Sequence, residues 1–331
     1  MLINSKYNSF SLLKEEGMNI VLLDASTLGN SNLDEIKSMG KLIIYDYTKK
    51  EEVVKRAKEA CIIITNKVVL DREILSQLNN LKLICITATG TNNIDLEYAK
   101  EAGICVKNVA NYSTNSVAQH TIMLALNILG QLNYYDKYVK KGKWARDNVF
   151  CHFNLDNEMY TLNGKNWGII GLGNIGKKVA SILRAFDVNI SYYSTSGAND
   201  NSLFNRVHDL KELLRNNDII SIHAPLNDKT KNLISHDELS LLKKDSILIN
   251  VGRGGIVNEN CLSKIIEKNE FYFACDVLEN EPMIENHPFL NKKIKDRIII
   301  TPHISWGYKE SREILMKAVA KNIRDFISQN S

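Results

Sequence analysis

The sequence predicts an α/β protein made of two doubly wound parallel-sheet domains. Short apolar segments alternate with helical patterns through the first third of the chain, the arrangement of strand and crossover helix in parallel sheets. A second alternation begins near residue 165. At its head stands Gly171-Leu172-Gly173-Asn174-Ile175-Gly176, a G-x-G-x-x-G between an apolar segment and a helical stretch. In that context the spacing marks a dinucleotide phosphate site on a helix N-terminus. At 331 residues, each domain is large enough for its own core.

In the first domain the expected strands are 19–25, 42–47, 61–65, 82–88 and 104–109. Helical patterns fall between them at 33–39, 49–60, 71–78 and 94–102. Residues 1–17 hold one short apolar patch and no signal-peptide core, so they are expected either as an extension or as a segment ahead of a translation start at Met18. Ser113 to about Lys140 reads as one long helix, with Val117, Thr121, Leu124, Ile128, Leu132 and Tyr135 at three- and four-residue steps. It would span about 40 Å, enough to bridge two domains. Residues 142–163 are polar and irregular, with Trp144 and Phe150 exposed by pattern, either a surface loop or an arm toward a second subunit.

Strands of the second domain are expected at 167–170, 188–193, 218–223, 246–251, 271–277 and 297–301, and a helix from about Trp306 to Ser328 packs back on the first domain. The predicted boundaries are 18–113 with 304–331 for one domain and 114–303 for the other. Open parallel sheets bind ligands at the carboxyl ends of their strands, so Gly171, Ser194, Ala224-Pro225, Gly252-Arg253, Glu279–Pro282 and Pro302-His303 belong to one rim.

Composition narrows the class. The formal net charge is +4, with 24% charged and 44% apolar residues, and both signs are interspersed. Neither nucleic acid nor an anionic membrane is called for, and no apolar run approaches the roughly 20 residues of a membrane span. The six cysteines (61, 85, 105, 151, 261, 275) form no C-x-x-C, which suggests buried free thiols in a reducing cytoplasm and no metal. His152, His208, His236 and His287 read as loop or surface residues, and His120 as a packed histidine or a ligand contact.

Three rim residues suit reduction of a carbonyl. Arg253 is a permanent cation with a planar fork for carboxylate and carbonyl oxygens. His303 is a proton donor near neutral pH, and Glu281 is a carboxylate able to orient it, with Glu279 the competing partner.

With these residues in place, the sequence resembles the D-isomer-specific 2-hydroxyacid dehydrogenases. The likeness runs in order through Ala88–Asp95, Tyr112-Ser113 with Val117-Ala118, Gly171–Gly176, His223–Leu226, Asn250–Gly255, Asp276–Pro282 and Pro302-His303. It is strongest to the glycerate dehydrogenase and hydroxypyruvate reductase group. The resemblance implies a flavodoxin-like substrate domain, a Rossmann dinucleotide-binding domain and a homodimer. It implies catalysis by Arg253, Glu281 and His303, with Thr89 and Gly90 beside Arg253 and His303 at the substrate. Cofactor contacts are implied at Gly171, Gly173, Asn174, Ile175, Gly176, Ser194, Thr195, Ala224, Pro225, Thr230, Val251, Gly252, Arg253, Asp276 and His303. The implied reaction is reduction of hydroxypyruvate, glyoxylate or a similar 2-oxo acid. A D-lactate-type enzyme, and more distantly a non-enzymatic NAD-sensing corepressor, are the alternatives.

One position departs from pattern. Ser194 stands where an acid normally bonds the adenosine ribose, and Thr195 and Ser196 follow. Without that carboxylate a 2′-phosphate meets no repulsion, which favours NADP over NAD, yet no Arg or Lys follows nearby.

Overall fold

The computed structural model describes residues 18–198 and 200–330, and the expected extension at 1–17 lies outside them. The chain forms two compact units. One comprises the residues up to Ser113 together with those from Gly307 onward, and the other Thr114–Trp306. Ile304–Trp306 thus belong to the second unit, three residues past the boundary read from sequence.

The first unit holds β1 (Asn19–Leu22), β2 (Lys41–Ile44), β3 (Ile62–Thr65), β4 (Leu83–Ile86) and β5 (Cys105–Lys107). They form one parallel sheet in the order β2-β1-β3-β4-β5. The two central segments, Ile62–Thr65 and Leu83–Ile86, are buried along their whole length, as continuous apolar strands between helical layers require. Short helices at Arg72–Leu75 and Leu96–Glu101 start where Asp71 and Asp95 accept the backbone N–H of Ile74 and Tyr98. The helix Lys309–Asn330 completes this unit, burying Leu315, Met316, Val319, Ala320 and Ile323. Arg312 Nη1 ties it down by donating to Leu28 O at 2.8 Å.

The second unit contains β6 (Asn166–Ile170), β7 (Asn189–Tyr193), β8 (Asn205–Arg206), β9 (Ile219–Ile222), β10 (Ile247–Asn250), β11 (Tyr272–Cys275) and β12 (Ile298–Ile300). All pair in parallel, in the order β12-β11-β10-β9-β6-β7-β8. The two-residue β8 is too short to register as a periodic segment. Trp167, fully buried in β6, donates its indole N–H to Ser221 Oγ at 2.8 Å, so the aromatic packs without orphaning its donor.

The long helix expected from Ser113 to Lys140 is two helices, Thr114–Gly130 and Leu132–Lys140. Gly130 ends the first, and Gln131 at φ +49° turns the chain before the second begins. Of the second helix only Tyr138 is buried and Leu132 is 64% exposed, so the apolar spacing past Gly130 marks no continuous buried face. Trp144 and Phe150 are exposed as expected, Phe150 at 94%. The thiols are all free, but Cys151 is exposed rather than buried.

Candidate active site

The switch point of the second sheet lies between β6 and β9, where the strand order reverses. Gly171 follows β6 at φ +93°, and a Cβ there would lie 2.8 Å from Ala224 N after β9. Only glycine permits both the turn and this approach. The helix Asn174–Leu183 opens immediately afterwards, with Asn174 and Gly173 exposed at its start. Around this point lies a cleft of about 570 Å³ lined by Gly171, Gly173, Thr195, Ser196, His223, Ala224 and Pro225, together with Asn227, Asp228 and Lys229. Gly171 lets the strand end lie against the Ala224 backbone, and Gly173 has open space around it at the start of the helix, so the residues fit a dinucleotide backbone. Burial pushes the His223 imidazole down to about 3, so this lining histidine is neutral.

His303 sits on the turn after β12 at φ +54°, unusual for a side chain other than glycine or asparagine. The turn is over-determined from beneath. His303 N–H donates to Asp276 O at 2.9 Å and Thr301 O at 3.0 Å. Asp276 Oδ1 accepts from the Thr301 hydroxyl at 2.6 Å and Ile304 N–H at 2.9 Å, and Oδ2 accepts from Ser305 N–H at 2.8 Å. His120 Nε2 is 3.0 Å from Thr301 Oγ1. Because Thr301 gives its proton to the carboxylate, His120 Nε2–H donates to the hydroxyl. Desolvation lowers the His120 pKa, consistent with that neutral ring.

The His303 ring meets Glu281: Nδ1 and Oε2 are 2.6 Å apart, and Glu281 Oε1 accepts Leu278 N–H at 3.0 Å. Glu281, which precedes a cis proline peptide, is therefore the histidine's partner, and Glu279 is not. Among the described residues, Nε2 of His303 has no protein hydrogen-bond partner, and the side chain keeps 22% of its exposure. Arg253 is exposed on the turn after β10. Asn250 brackets that turn, accepting from Gly252 N–H at 3.1 Å and donating to Arg253 O at 2.9 Å. A Cβ on Gly254 would come within 1.9 Å of Leu278 O, so the Arg253 turn and the Glu281 loop lie in backbone contact. The arginine and the histidine–carboxylate pair are thus brought to one stretch of rim.

The sequence reading missed a second histidine–carboxylate pair. His287 is buried, not on the surface: its Nε2 is 2.9 Å from Glu259 Oε2, and its Nδ1 accepts Phe289 N–H at 3.2 Å. Glu259 Oε1 accepts Glu279 N–H at 2.7 Å, pinning the loop that carries Glu281. The separation of 28 positions between Glu259 and His287 conceals the pair from any local pattern.

The remaining expected residues divide. Ile175 and Thr195 are half-buried, Gly176, Val251 and Ala224 are buried, and Pro225 is exposed on the cleft. Ser194 is buried at 8% exposure, so Thr195 and Ser196 face the cleft in its stead. Thr230 is fully buried, donating to Pro225 O at 2.7 Å and accepting Asn227 N–H at 2.8 Å. It shapes the cleft wall from behind. The Asp276 side chain is likewise enclosed, with both oxygens spent on the His303 turn. Thr89 and Gly90 lie beyond the carboxyl end of β4 in the first unit, where Thr89 donates to Val109 O and Asn108 donates to Thr89 O.

Residues 122–305 match the family described as D-isomer specific 2-hydroxyacid dehydrogenase, NAD binding domain. A hydroxypyruvate reductase from Blautia hydrogenotrophica is 34% identical, over 94% of this chain and 97% of its own. A D-lactate dehydrogenase structure from Aquifex aeolicus, complexed with NAD and lactic acid, superposes with TM-score 0.79 at 27% identity, covering 94% of this chain and 96% of that one. An acyclic imino acid reductase in complex with NADPH and D-Arg gives 0.81 at 26% identity, with 95% and 98% covered.

Proposed function

The chain belongs to the D-isomer-specific 2-hydroxyacid dehydrogenases, oxidoreductases that bind a nicotinamide cofactor, and from that premise we propose that it reduces hydroxypyruvate or glyoxylate to the D-2-hydroxy acid. The observation that carries the chemistry is the His303–Glu281 contact at 2.6 Å with Nε2 left for a ligand. The reduced nicotinamide supplies the hydride. Arg253 anchors and polarises the 2-oxo acid through its guanidinium fork. His303 Nε2–H gives its proton to the carbonyl oxygen, while Glu281 holds the ring's tautomer and balances the imidazolium charge. Thr89 and Gly90 donate backbone N–H groups to the carboxylate. Asp276 serves the cofactor end by fixing the His303 turn.

NADP is the favoured cofactor, because the acid that would bond an unphosphorylated ribose is Ser194. The working state is a homodimer in a reducing cytoplasm. Phe150 and Leu155, exposed at 94% and 91%, and Trp144 and Phe153 beside them, supply an apolar face for a second copy.

A panel of hydroxypyruvate, glyoxylate, pyruvate and bulkier 2-oxo acids, each assayed with NADPH and NADH, tests the reading. The highest kcat/KM is expected on hydroxypyruvate or glyoxylate. No turnover on any member would refute the proposal, and a maximum on pyruvate would make the enzyme D-lactate-type. Light scattering at twice the 37.5 kDa chain mass is the expected dimer result.

A further inference from the structure

The hydroxyls at 195 and 196 look insufficient for a phosphate when the sequence is read locally, since no cation follows them. The fold supplies one from elsewhere. Lys229, on the loop after β9, lines the same cleft as Thr195 and Ser196, after β7. β7 and β9 flank β6, so their carboxyl-end loops stand on either side of the switch-point crevice.

Two basic residues come near this corner, and they differ in availability. Arg206 is occupied: its Nη2 donates to Gly197 O at 2.8 Å, and Nη1 lies 3.9 Å from Asp200. It braces Gly197 and Asp200. Lys229 is exposed, and among the described residues no carboxylate lies within ion-pair distance of its ammonium. Its backbone is fixed, with its N–H donating to Asn227 Oδ1 at 2.9 Å and the buried Thr230 hydroxyl closing the turn. The stem is anchored while the charged head stays free. Asp228 also lines the cleft and opposes an anion there, so the corner is tuned rather than uniformly basic.

We propose that Lys229, with the hydroxyls of Thr195 and Ser196, forms the binding site for the 2′-phosphate of an adenosine ribose and so selects NADP. The ammonium supplies the charge and the hydroxyls supply directed hydrogen bonds, a division suited to a monoester phosphate. The inference rests on the dinucleotide site of the proposed function but not on the substrate.

The test is calorimetric titration with adenosine 2′,5′-bisphosphate and with 5′-AMP, which differ only in the 2′-phosphate. The wild-type protein is expected to favour the bisphosphate by about tenfold or more, the scale of a charge-assisted contact. Lys229→Gln should bring the two affinities within about twofold while leaving 5′-AMP binding unchanged, which also reports intact folding. Lys229→Arg should retain the preference, and Asp228→Asn should increase it. Equal affinities in the wild type, or a preference that survives Lys229→Gln, would overturn the assignment. In either case 2-oxo acid reduction would persist with whichever cofactor binds, so the two readings fail separately. Absence of binding by both nucleotides would remove the dinucleotide site and this inference with it.

Discussion

The two units share a parallel α/β plan and use its most reactive place in opposite ways. In each, the strand order reverses beside the first strand, leaving a crevice at the carboxyl ends. In the first unit that crevice is filled by the protein itself. Asp24, after β1, is 3% exposed and accepts Asn66 N–H at 2.9 and 3.0 Å and Lys67 N–H at 2.7 Å, after β3. In the second unit the turn after β6 is Gly171-Leu172-Gly173, with open space around Gly173, and the crevice is a cleft. Topology creates the opportunity for anion binding, and the turn that follows the first strand decides whether a ligand or a carboxylate takes it.

The largest test of this contrast is to remove chemistry from the open rim. His303→Ala should lower 2-oxo acid reduction at least ~100-fold, the low end for acid–base catalysis, with nucleotide affinity retained. Steady-state kinetics beside calorimetry would show whether the rim acts as stated; near-native kcat would sink it. Next, Gly171→Ala distorts the turn that lines the open crevice. The strained φ alone costs roughly 1–2 kcal/mol, and the contact with Ala224 adds to it, so weaker nucleotide binding and a lower Tm are expected together. Undiminished affinity would mean the glycine is not needed for the approach. Opening the closed crevice by Asp24→Ala leaves buried N–H groups unsatisfied, costing about 1–3 kcal/mol in urea unfolding.

The smallest effect is a pH slope. Desolvation raises the Asp24 pKa from the model-peptide value of 3.8, so the folded state holds this proton more tightly than the unfolded chain. The contribution to stability is complete below 3.8 and is lost as pH rises through the folded value. Asp24→Asn should flatten that part of the stability–pH curve. An unchanged slope would show that another group titrates there.

Much of this was legible in the residues. The apolar segments named eleven of the twelve strands because fully buried parallel strands are continuous runs of Ile, Leu and Val. The rim positions of Arg253, Glu281 and His303 and the pairing of Glu281 with His303 were legible because each lies in a short motif at a strand end. What escaped detection depends on distance or on backbone angle. The Gly130–Gln131 break interrupts no apolar period, and it follows from a left-handed residue rather than from composition. Glu259–His287 joins a helix start to a loop, and Lys229 lines the same cleft as Thr195 although two strands and a helix separate them in sequence. The family resemblance implies Asp276 as a cofactor contact; its bonds to Thr301, Ile304 and Ser305 became visible only with the turn in place.

The return of the Lys309–Asn330 helix to the first unit has a consequence for biogenesis. The sheet made first on the ribosome lacks the helix that buries Leu315, Val319 and Ile323 in its unit until residues 114–306 have been synthesised. At bacterial or eukaryotic translation speeds that interval is roughly 10–40 s. During it the nascent sheet presents an uncovered apolar face, while the second unit, continuous in sequence, has everything it needs to fold. The nascent chain is therefore most dependent on chaperones in the half that is translated first.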